Sequence, residues 1–386
     1  MRILHLYSDW KWTGPAEPVI QMCKALEERG HDVTFACRAT PPEHADADES
    51  VQMKAAEYGI HFTTEFGLNR YWGFRDSIYD LVHLPAYIRR RNIDVIHTHL
   101  SHDHAFGCYA KKMCLSRRPV LVKSMHNREA LPQKFWNNRL LKGLRGKNGL
   151  LVFSEGFRRR YAERFSISPD RIGVCPMPLD LVRFRPDRPF VSQRKAFNIP
   201  AGSPVIGIVA RFQKYRRMDV FLEAARRVVD EFPDVRFVVI GRSGQMRDTV
   251  ITPMKDLGLE KNVITPGYLT DHYVDMMMTL DIFTLMIPGF DGTARALREA
   301  MALGKPCVAS DIGMLPDIVK HGERGLIFTF PDAGDLAACW LDLLRNPRRA
   351  KMMGDTGAAY AKDAFRLDAV GPALETFYQS LGAGQA

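Results

Sequence analysis

The sequence predicts an α/β protein made of two doubly wound, parallel-sheet domains facing a central cleft. Three observations carry this expectation. Short apolar runs alternate with stretches of helical periodicity, the signature of βαβ units. The alternation breaks at a polar, proline-bearing stretch from Arg183 to Pro200 and then restarts. The chain has 386 residues, whereas single cores stop growing near roughly 250–300. With 46% apolar and 25% charged residues, the composition is that of chains that fold.

The elements follow in order. Ile3–Tyr7 reads as the first strand, and Met1 leads so directly into it that no signal peptide is expected. Ala16–Glu28 carries apolar residues at helical spacing, and Gly30 supplies a C-cap before a strand at Val33–Cys37. Strands at Asp94–His97, Val120–Val122, Leu150–Phe153 and Ile172–Pro176 complete the first half. The second half reads as strand Val205–Ala210, helix Val220–Phe232, strand Val235–Gly241, strands at Val263–Thr265 and Ile282–Ile287, helix Thr293–Leu303 and strand Pro306–Ser310. The expected division is residues 1–190, residues 191–365 and a C-terminal segment, 366–386, whose helix packs back onto the first domain. Ligands in open α/β sheets bind outside the carboxyl ends of the strands, which directs attention to the strand-end loops.

Bulk properties narrow the setting. Seven cysteines without a C-x-x-C pair, mostly among apolar neighbours, read as reduced thiols of a cytosol. No run approaches the 18 apolar residues of a spanning helix. A net charge of +10 predicts attraction to something anionic: phosphate-rich substrate, acidic lipid or nucleic acid.

The richest segment runs from Ile287 to Pro306. An apolar strand ends in a glycine-bearing turn, Pro288-Gly289-Phe290-Asp291-Gly292, and Thr293 opens a helix. A helix N-terminus after a strand offers free amides and a positive dipole end, which suits a diphosphate. Asp291 and Glu299 follow at the start of this helix and two turns on, where carboxylates accept hydrogen bonds from sugar and ribose hydroxyls. Taken alone, the pair reads equally well as a helix-start acid and a solvated face. A second cluster, Arg211-Phe212-Gln213-Lys214-Tyr215-Arg216-Arg217, follows the first strand of the second half. Arg211 and Arg216 can clamp a diphosphate because the planar guanidinium matches phosphate oxygens. Lys214 and Arg217 read as solvated.

Together these residues resemble the retaining glycosyltransferases of family 4, which adopt the GT-B fold of two Rossmann-like domains. The resemblance spans nearly the whole chain: Gly14 in Thr13-Gly14-Pro15-Ala16-Glu17, the strand end Asp94-Val95-Ile96-His97-Thr98-His99, Pro176-Met177-Pro178-Leu179-Asp180 with Phe184, Arg211 and Arg216, Asp291 and Glu299, Gly304-Lys305-Pro306, and Gly313-Met314-Leu315-Pro316-Asp317 with Gly322 and Gly325. The resemblance implies that Arg211 and Arg216 bind the donor diphosphate, that Asp291 contacts donor-sugar hydroxyls and that Glu299 contacts the ribose. It implies further that Gly14 and the Gly292, Thr293 and Ala294 backbone lie near the donor phosphates, and that His126 lies near the transferring sugar. Departures accompany these matches. Asp291 stands where Glu is usual, Arg216 where Lys is common, Gly14-Pro15 where two glycines are usual, and Met177-Pro178 where Asn-Gly is usual.

The expected activity is therefore transfer of a sugar, with retained configuration, from a nucleotide-diphosphate donor to a hydroxyl of a glycan, lipopolysaccharide or lipid-linked acceptor. Same-face displacement needs positioning and electrostatic stabilisation of the departing diphosphate, with no metal and no cofactor. A sugar-nucleotide epimerase of the same fold and a non-catalytic sugar-nucleotide or polyanion binder are the alternatives. A nicotinamide dehydrogenase is disfavoured, because Gly241-Arg242-Ser243-Gly244 is only a fragment of the dinucleotide fingerprint. His97, His99, His102 and His104 invite a metal reading but lack partners at zinc spacing and are expected to line a strand end. Lys305 reads as a turn lysine rather than a Schiff-base lysine. The Asp46/Asp48 pair lies in a polar loop rather than at a strand end, against a metal-nucleotide role. Arg89-Arg90-Arg91, Lys111-Lys112, Arg117-Arg118 and Arg139–Lys147, the last accompanied by Phe135, Trp136, Leu140 and Leu141, fit docking on the inner face of a membrane or a solvated basic face. No nucleic-acid motif accompanies them. The protein is expected to be cytoplasmic, peripheral to the membrane if it meets one.

Overall fold

The computed structural model describes residues 1–12, 15–44, 50–70, 73–114, 119–126, 131, 141, 148–288 and 294–384. The chain divides into two compact units. One comprises Met1–Pro178 with Arg366–Ala386, the other Leu179–Gly289 with Ala294–Phe365. Each is built on its own parallel sheet.

In the first unit the strands are β1 (Arg2–Tyr7), β2 (Asp32–Cys37), β3 (Phe62–Thr63), β4 (Val95–Thr98), β5 (Val120–Ser124), β6 (Asn148–Val152) and β7 (Ile172–Val174), in the spatial order β3-β2-β1-β4-β5-β6-β7. Five of the seven are buried along nearly their whole length, as strands covered by helices on both faces must be. The order reverses between β1 and β4, where His5 pairs in register with His97. The helix Ala16–Glu27 buries Val19, Ile20, Met22, Cys23 and Leu26, and Gly30 follows it at φ 79°, the left-handed turn that glycine makes at least cost.

The helix Val370–Ser380 belongs to this first unit. Its Phe377 lies in a slot made by two strand glycines: a Cβ on Gly149 or Gly173 would sit 2.6 or 2.5 Å from the Phe377 ring. Arg29 pairs with Glu375 at 2.5 Å, and the Tyr378 hydroxyl reaches His97 Nδ1 at 2.6 Å. The last helix thus contributes a polar group to the buried end of β4.

The second unit carries β8 (Val205–Val209), β9 (Arg236–Ile240), β10 (Val263–Gly267), β11 (Ile282–Leu285), β12 (Cys307–Ser310) and β13 (Leu326–Phe328), ordered β10-β9-β8-β11-β12-β13. Its reversal lies between β8 and β11. Phe221, Phe237 and Trp340 form the aromatic centre of its core, with ring centroids 5.1–5.9 Å apart, and the Trp340 indole N–H donates to Thr284 Oγ1 at 2.9 Å. This unit extends back to Leu179 rather than starting at residue 191. The Leu179 amide donates to the Phe365 carbonyl at 3.0 Å, and Phe184 packs edge-on to Tyr273.

Among the described residues no helix is long and apolar enough to cross a membrane. The seven cysteines are all free, six of them buried and Cys108 half-buried.

Candidate active site

At the reversal of the second sheet, two adjacent parallel strands send their loops in opposite directions, which opens a crevice at their carboxyl ends. Arg211 follows β8 and Glu299 lies in the helix after β11, so the topology brings both to this crevice. The loop after β8 is fixed from beneath. The Ala210 amide donates to the Ile240 carbonyl at 3.1 Å, and Gly241, at φ 145°, lets the two backbones approach where a Cβ would meet the Ala210 oxygen at 1.9 Å. The Thr249 hydroxyl donates to the Phe212 carbonyl at 2.8 Å, and Gln245 Oε1 accepts from the Lys214 amide at 3.2 Å. Arg211 itself is exposed, and its guanidinium makes no ion pair among the described residues.

Arg216 is half-buried, stacked on Tyr215 with 5.2 Å to the ring centroid. Its Nη1 donates to the Ile287 carbonyl, and the Ser310 hydroxyl at the end of β12 donates to the neighbouring Met286 carbonyl. Two successive carbonyls of the segment leaving β11 are therefore held by side chains from both flanking strands. Arg216 has a second job beside any anion contact: it ties the exits of β8 and β11 together.

Asp291, Gly292 and Thr293 lie outside the described residues, as does Gly14. The helix that follows runs Arg295–Ala302 and starts two residues later than the sequence reading placed it. Ala294 precedes it in the left-handed region at φ 45°, and its carbonyl accepts from the amides of Leu297 and Arg298. A non-glycine residue held there stores roughly 1–3 kcal/mol of backbone strain, a condition that clusters at functional loops. Glu299 is consequently one turn into the helix rather than two.

Glu299 is buried, yet both carboxylate oxygens are engaged. Oε2 accepts from the Tyr273 hydroxyl at 2.5 Å, and Oε1 accepts from Arg295 Nε at 2.8 Å. Burial, reinforced by the Glu299 charge, pushes the Tyr273 phenol well above its ordinary pKa, so it remains a donor. Two fixed donors hold the carboxylate in one rotamer and leave its remaining lone pairs for vicinal hydroxyls. Tyr273 and Arg295 escaped the sequence reading. Arg295 stands at the i−4 position of a helix pair, a signal that was available, whereas Tyr273 comes from a separate helix, Tyr273–Thr279, and left no local trace.

The reversal of the first sheet has different chemistry. His126, after β5, is buried. Its Nε2 lies 3.3 Å from His99 Nδ1, and His99 Nε2 lies 3.0 Å from His5 Nδ1. His97 reaches Tyr378 and also Ser124 Oγ at 2.7 Å. Burial lowers His5 and His126 to about 3 and holds His97 and His99 well below the ordinary imidazole value, so all four rings are neutral. His126 Nδ1 and His5 Nε2 are buried without a partner among the described residues.

Nearby, Asp103 accepts from the Leu100 amide at 2.9 Å and the Ser8 amide at 3.3 Å. It thereby ties the loop after β1 to the helix Ser101–Met113. Lys123 lies 4.0 Å from Asp103 and donates to the Leu100 carbonyl. Burial pulls this lysine down and the aspartate up, each opposed by the charge of the other.

The histidine cluster differs from the one read in the sequence. His97 and His99 group with His5, their ligand atoms all within 4.8 Å, while His104 bonds Thr98 at 2.9 Å. Both nitrogens of His97 and of His99 are spoken for by hydrogen bonds, which a metal would have to displace. Lys305 sits before β12, at the opposite edge from the crevice, and donates to the Met278 carbonyl at 2.6 Å.

Comparisons with known proteins agree with this architecture. A family model described as Glycosyltransferase Family 4 matches residues 13–183, and one described as Glycosyl transferases group 1 matches residues 190–360. The chain is 23% identical, over 93% of its length and 91% of the relative's, to N-acetyl-alpha-D-glucosaminyl L-malate synthase of Bacillus anthracis. It is 22% identical, over 86% and 85%, to UDP-Gal:alpha-D-GlcNAc-diphosphoundecaprenol alpha-1,3-galactosyltransferase of Escherichia coli. Among solved structures, HepE from Anabaena in complex with UDP matches with a TM-score of 0.78 at 17% identity, covering 98% of this chain and all of that one. The same protein in complex with UDP-glucose matches at 0.76 and 18%, again over 98% of this chain and all of that one. Both sheets and both halves of the sequence point to one enzyme class: the chain belongs to the family 4 glycosyltransferases and has the GT-B fold.

Proposed function

We propose that the protein transfers a sugar from a nucleotide-diphosphate donor to a hydroxyl of a glycan, lipopolysaccharide or lipid-linked acceptor, with retention of configuration. The observation that carries the donor assignment is the crevice of the second unit. An exposed Arg211 after β8 and a rigidly held, buried Glu299 after β11 flank one strand reversal, and Arg216 ties the two exits. Arg211 and Arg216 stabilise the diphosphate, and Glu299 takes the ribose diol. Asp291 contacts the sugar, and the shortening by one methylene from the usual Glu makes it the position that selects the donor. We assign the donor phosphates to the backbone amides of Gly14, Gly292, Thr293 and Ala294.

Departure of the diphosphate develops one negative charge on the bridging oxygen and a positive one on the anomeric carbon, and cations beside that oxygen lower the barrier. The departing phosphate oxygen takes the acceptor proton on the same face. His126, a neutral ring whose Nδ1 has no partner among the described residues, offers the sugar a hydrogen bond rather than a charge. The proposed reaction uses no metal and no cofactor, the arginines supplying the stabilising charge. A uridine nucleotide is the first donor to test, because the HepE complexes hold UDP and UDP-glucose and the E. coli relative is named for UDP-Gal. That relative's diphosphoundecaprenol acceptor supports the lipid-linked option.

The test is a thermal-shift screen of UDP-, GDP- and ADP-sugars, since a ligand that binds only the folded state raises apparent stability, followed by transfer assays with the stabilising donor. Turnover of the donor without an acceptor product would move the assignment to an epimerase. Wild-type turnover in Glu299→Ala would end the site assignment.

A further inference from the structure

The helix Phe74–Arg90 of the first unit buries Leu84, Pro85, Tyr87 and Ile88 in its second half, while its first half has polar residues inside and apolar ones outside. Its buried face includes Ser77 and Asp80; Asp80 is 1% exposed and accepts from the amides of Gly67 at 2.8 Å and Leu68 at 2.9 Å. Its outer face carries Phe74, Ile78, Tyr79 and Val82, exposed by 84%, 48%, 44% and 61%. Phe74, Ile78 and Val82 recur every fourth residue, so they form one stripe along the helix. A solvated helix places polar residues there, and a contiguous exposed apolar stripe marks an interaction surface.

The charge around the stripe is one-sided. Between residues 74 and 113 the chain has four carboxylates, Asp76, Asp80, Asp94 and Asp103, and none occupies an exposed position. Arg75, Arg89, Arg90, Arg91 and Lys112 are exposed. The neighbouring helix Ser101–Met113, joined through Arg89 to the Met113 carbonyl at 3.5 Å, adds half-exposed Tyr109 and Met113.

We infer that this face docks on an anionic lipid bilayer, the Phe74–Val82 stripe entering the headgroup boundary and the arginines lying against lipid phosphates. Apolar residues on one side and unbalanced cations beside them are what an interfacial helix needs. A second copy of the chain fits less well, because an isologous contact through this helix would set its arginines against their own copies. The stripe is distinct from the basic segment Arg139–Lys147 singled out in the sequence, of which only Leu141 is among the described residues. Docking is independent of the transfer chemistry proposed above, and donor titration separates the two.

The test is co-sedimentation of the full chain with vesicles of equal parts phosphatidylcholine and phosphatidylglycerol, against phosphatidylcholine alone. The wild type should bind the anionic vesicles and lose binding at high salt. The triple variant Phe74→Ser, Ile78→Ser, Val82→Ser should bind at least about tenfold more weakly, and Arg75→Gln with Arg90→Gln and Arg91→Gln roughly a hundredfold more weakly. Both should titrate with donor as the wild type does. Equal binding to neutral vesicles, or undiminished binding by the serine variant, overturns the inference. So does a wild-type dimer in sedimentation velocity that the serine variant dissolves, with no vesicle binding by either protein, which would assign the stripe to a second copy.

Discussion

Replacing Tyr273 by Phe isolates one hydrogen bond of the proposed donor site. The ring keeps its edge-on packing against Phe184, so no cavity opens, and only the donation to Glu299 Oε2 at 2.5 Å is lost. A hydrogen bond to a buried charged group contributes about 1.5–3 kcal/mol. For a unit of this size that corresponds to a fall in melting temperature of roughly 3–12 °C. The carboxylate, now held by Arg295 alone, gains rotamer freedom that donor binding must remove, at about 0.5–1.5 kcal/mol, which weakens donor affinity roughly two- to twelvefold. Thermal unfolding and donor titration measure the two effects. In a Glu299→Gln background the same Tyr273→Phe change should cost only about 0.5–1.5 kcal/mol, because the hydrogen bond it removes is now to a neutral amide. An equal stability loss in both backgrounds would show that the charge plays no part. A stability loss with unchanged donor affinity would refute the placement of the ribose on Glu299.

Arg211→Ala should abolish transfer while moving stability by no more than about 0.5 kcal/mol, since the side chain is exposed; activity and melting temperature are read on the same preparation. Phe377→Ala empties the slot between Gly149 and Gly173 and should cost the first unit about 3–5 kcal/mol in denaturant unfolding. Acidification should destabilise the first unit. His5 and His126 titrate near 3 when folded and near 6.5 when unfolded, so the unfolded chain binds more protons across that interval and stability falls as pH falls through it. At about pH 5 the pair together should have lost about 4 kcal/mol relative to neutral pH; a flat profile between those points would contradict the buried, neutral assignment.

Much of the fold was open to inspection in the sequence because parallel strands buried on both faces are unbroken apolar runs. Ile3–Tyr7 and Val205–Val209 need no partner to be recognised. Arg211 was singled out for a related reason: it lies just beyond such a run, and strand ends are where crevices form; Glu299, inside the following helix, was singled out by its spacing from Asp291 and the family resemblance. What escaped was whatever depends on two segments meeting. Tyr273 reaches Glu299 from a different helix, and Tyr378 reaches His97 from the last helix of the chain. The start of the helix at Arg295 was misplaced because Ala294 adopts a left-handed conformation that alanine gives no hint of. The helix Phe74–Arg90 went unread because periodicity identifies an apolar face but assigns it to the core by default, and here part of that face points outward.

The imidazoles at the first sheet's reversal carry one further consequence. A neutral ring donates from one nitrogen and accepts at the other. Along His5, His99 and His126 the two hydrogen bonds of 3.0 and 3.3 Å must therefore run in the same direction. If His99 donates to His126 Nε2, then His126 Nδ1 carries a proton and His5 Nε2 does not; if the direction reverses, so do both ends. The donor or acceptor character of His126 Nδ1, which the proposed reaction presents to a sugar hydroxyl, is thus fixed jointly with a ring two hydrogen bonds away on β1. His5→Leu breaks that link while His99 remains, so the His126 ring nitrogens, followed by nitrogen NMR, should change their protonation pattern, and kcat should fall with donor affinity preserved. An unchanged His126 tautomer in the leucine variant would mean that the ring is oriented by its own surroundings and that the chain of imidazoles is only packing.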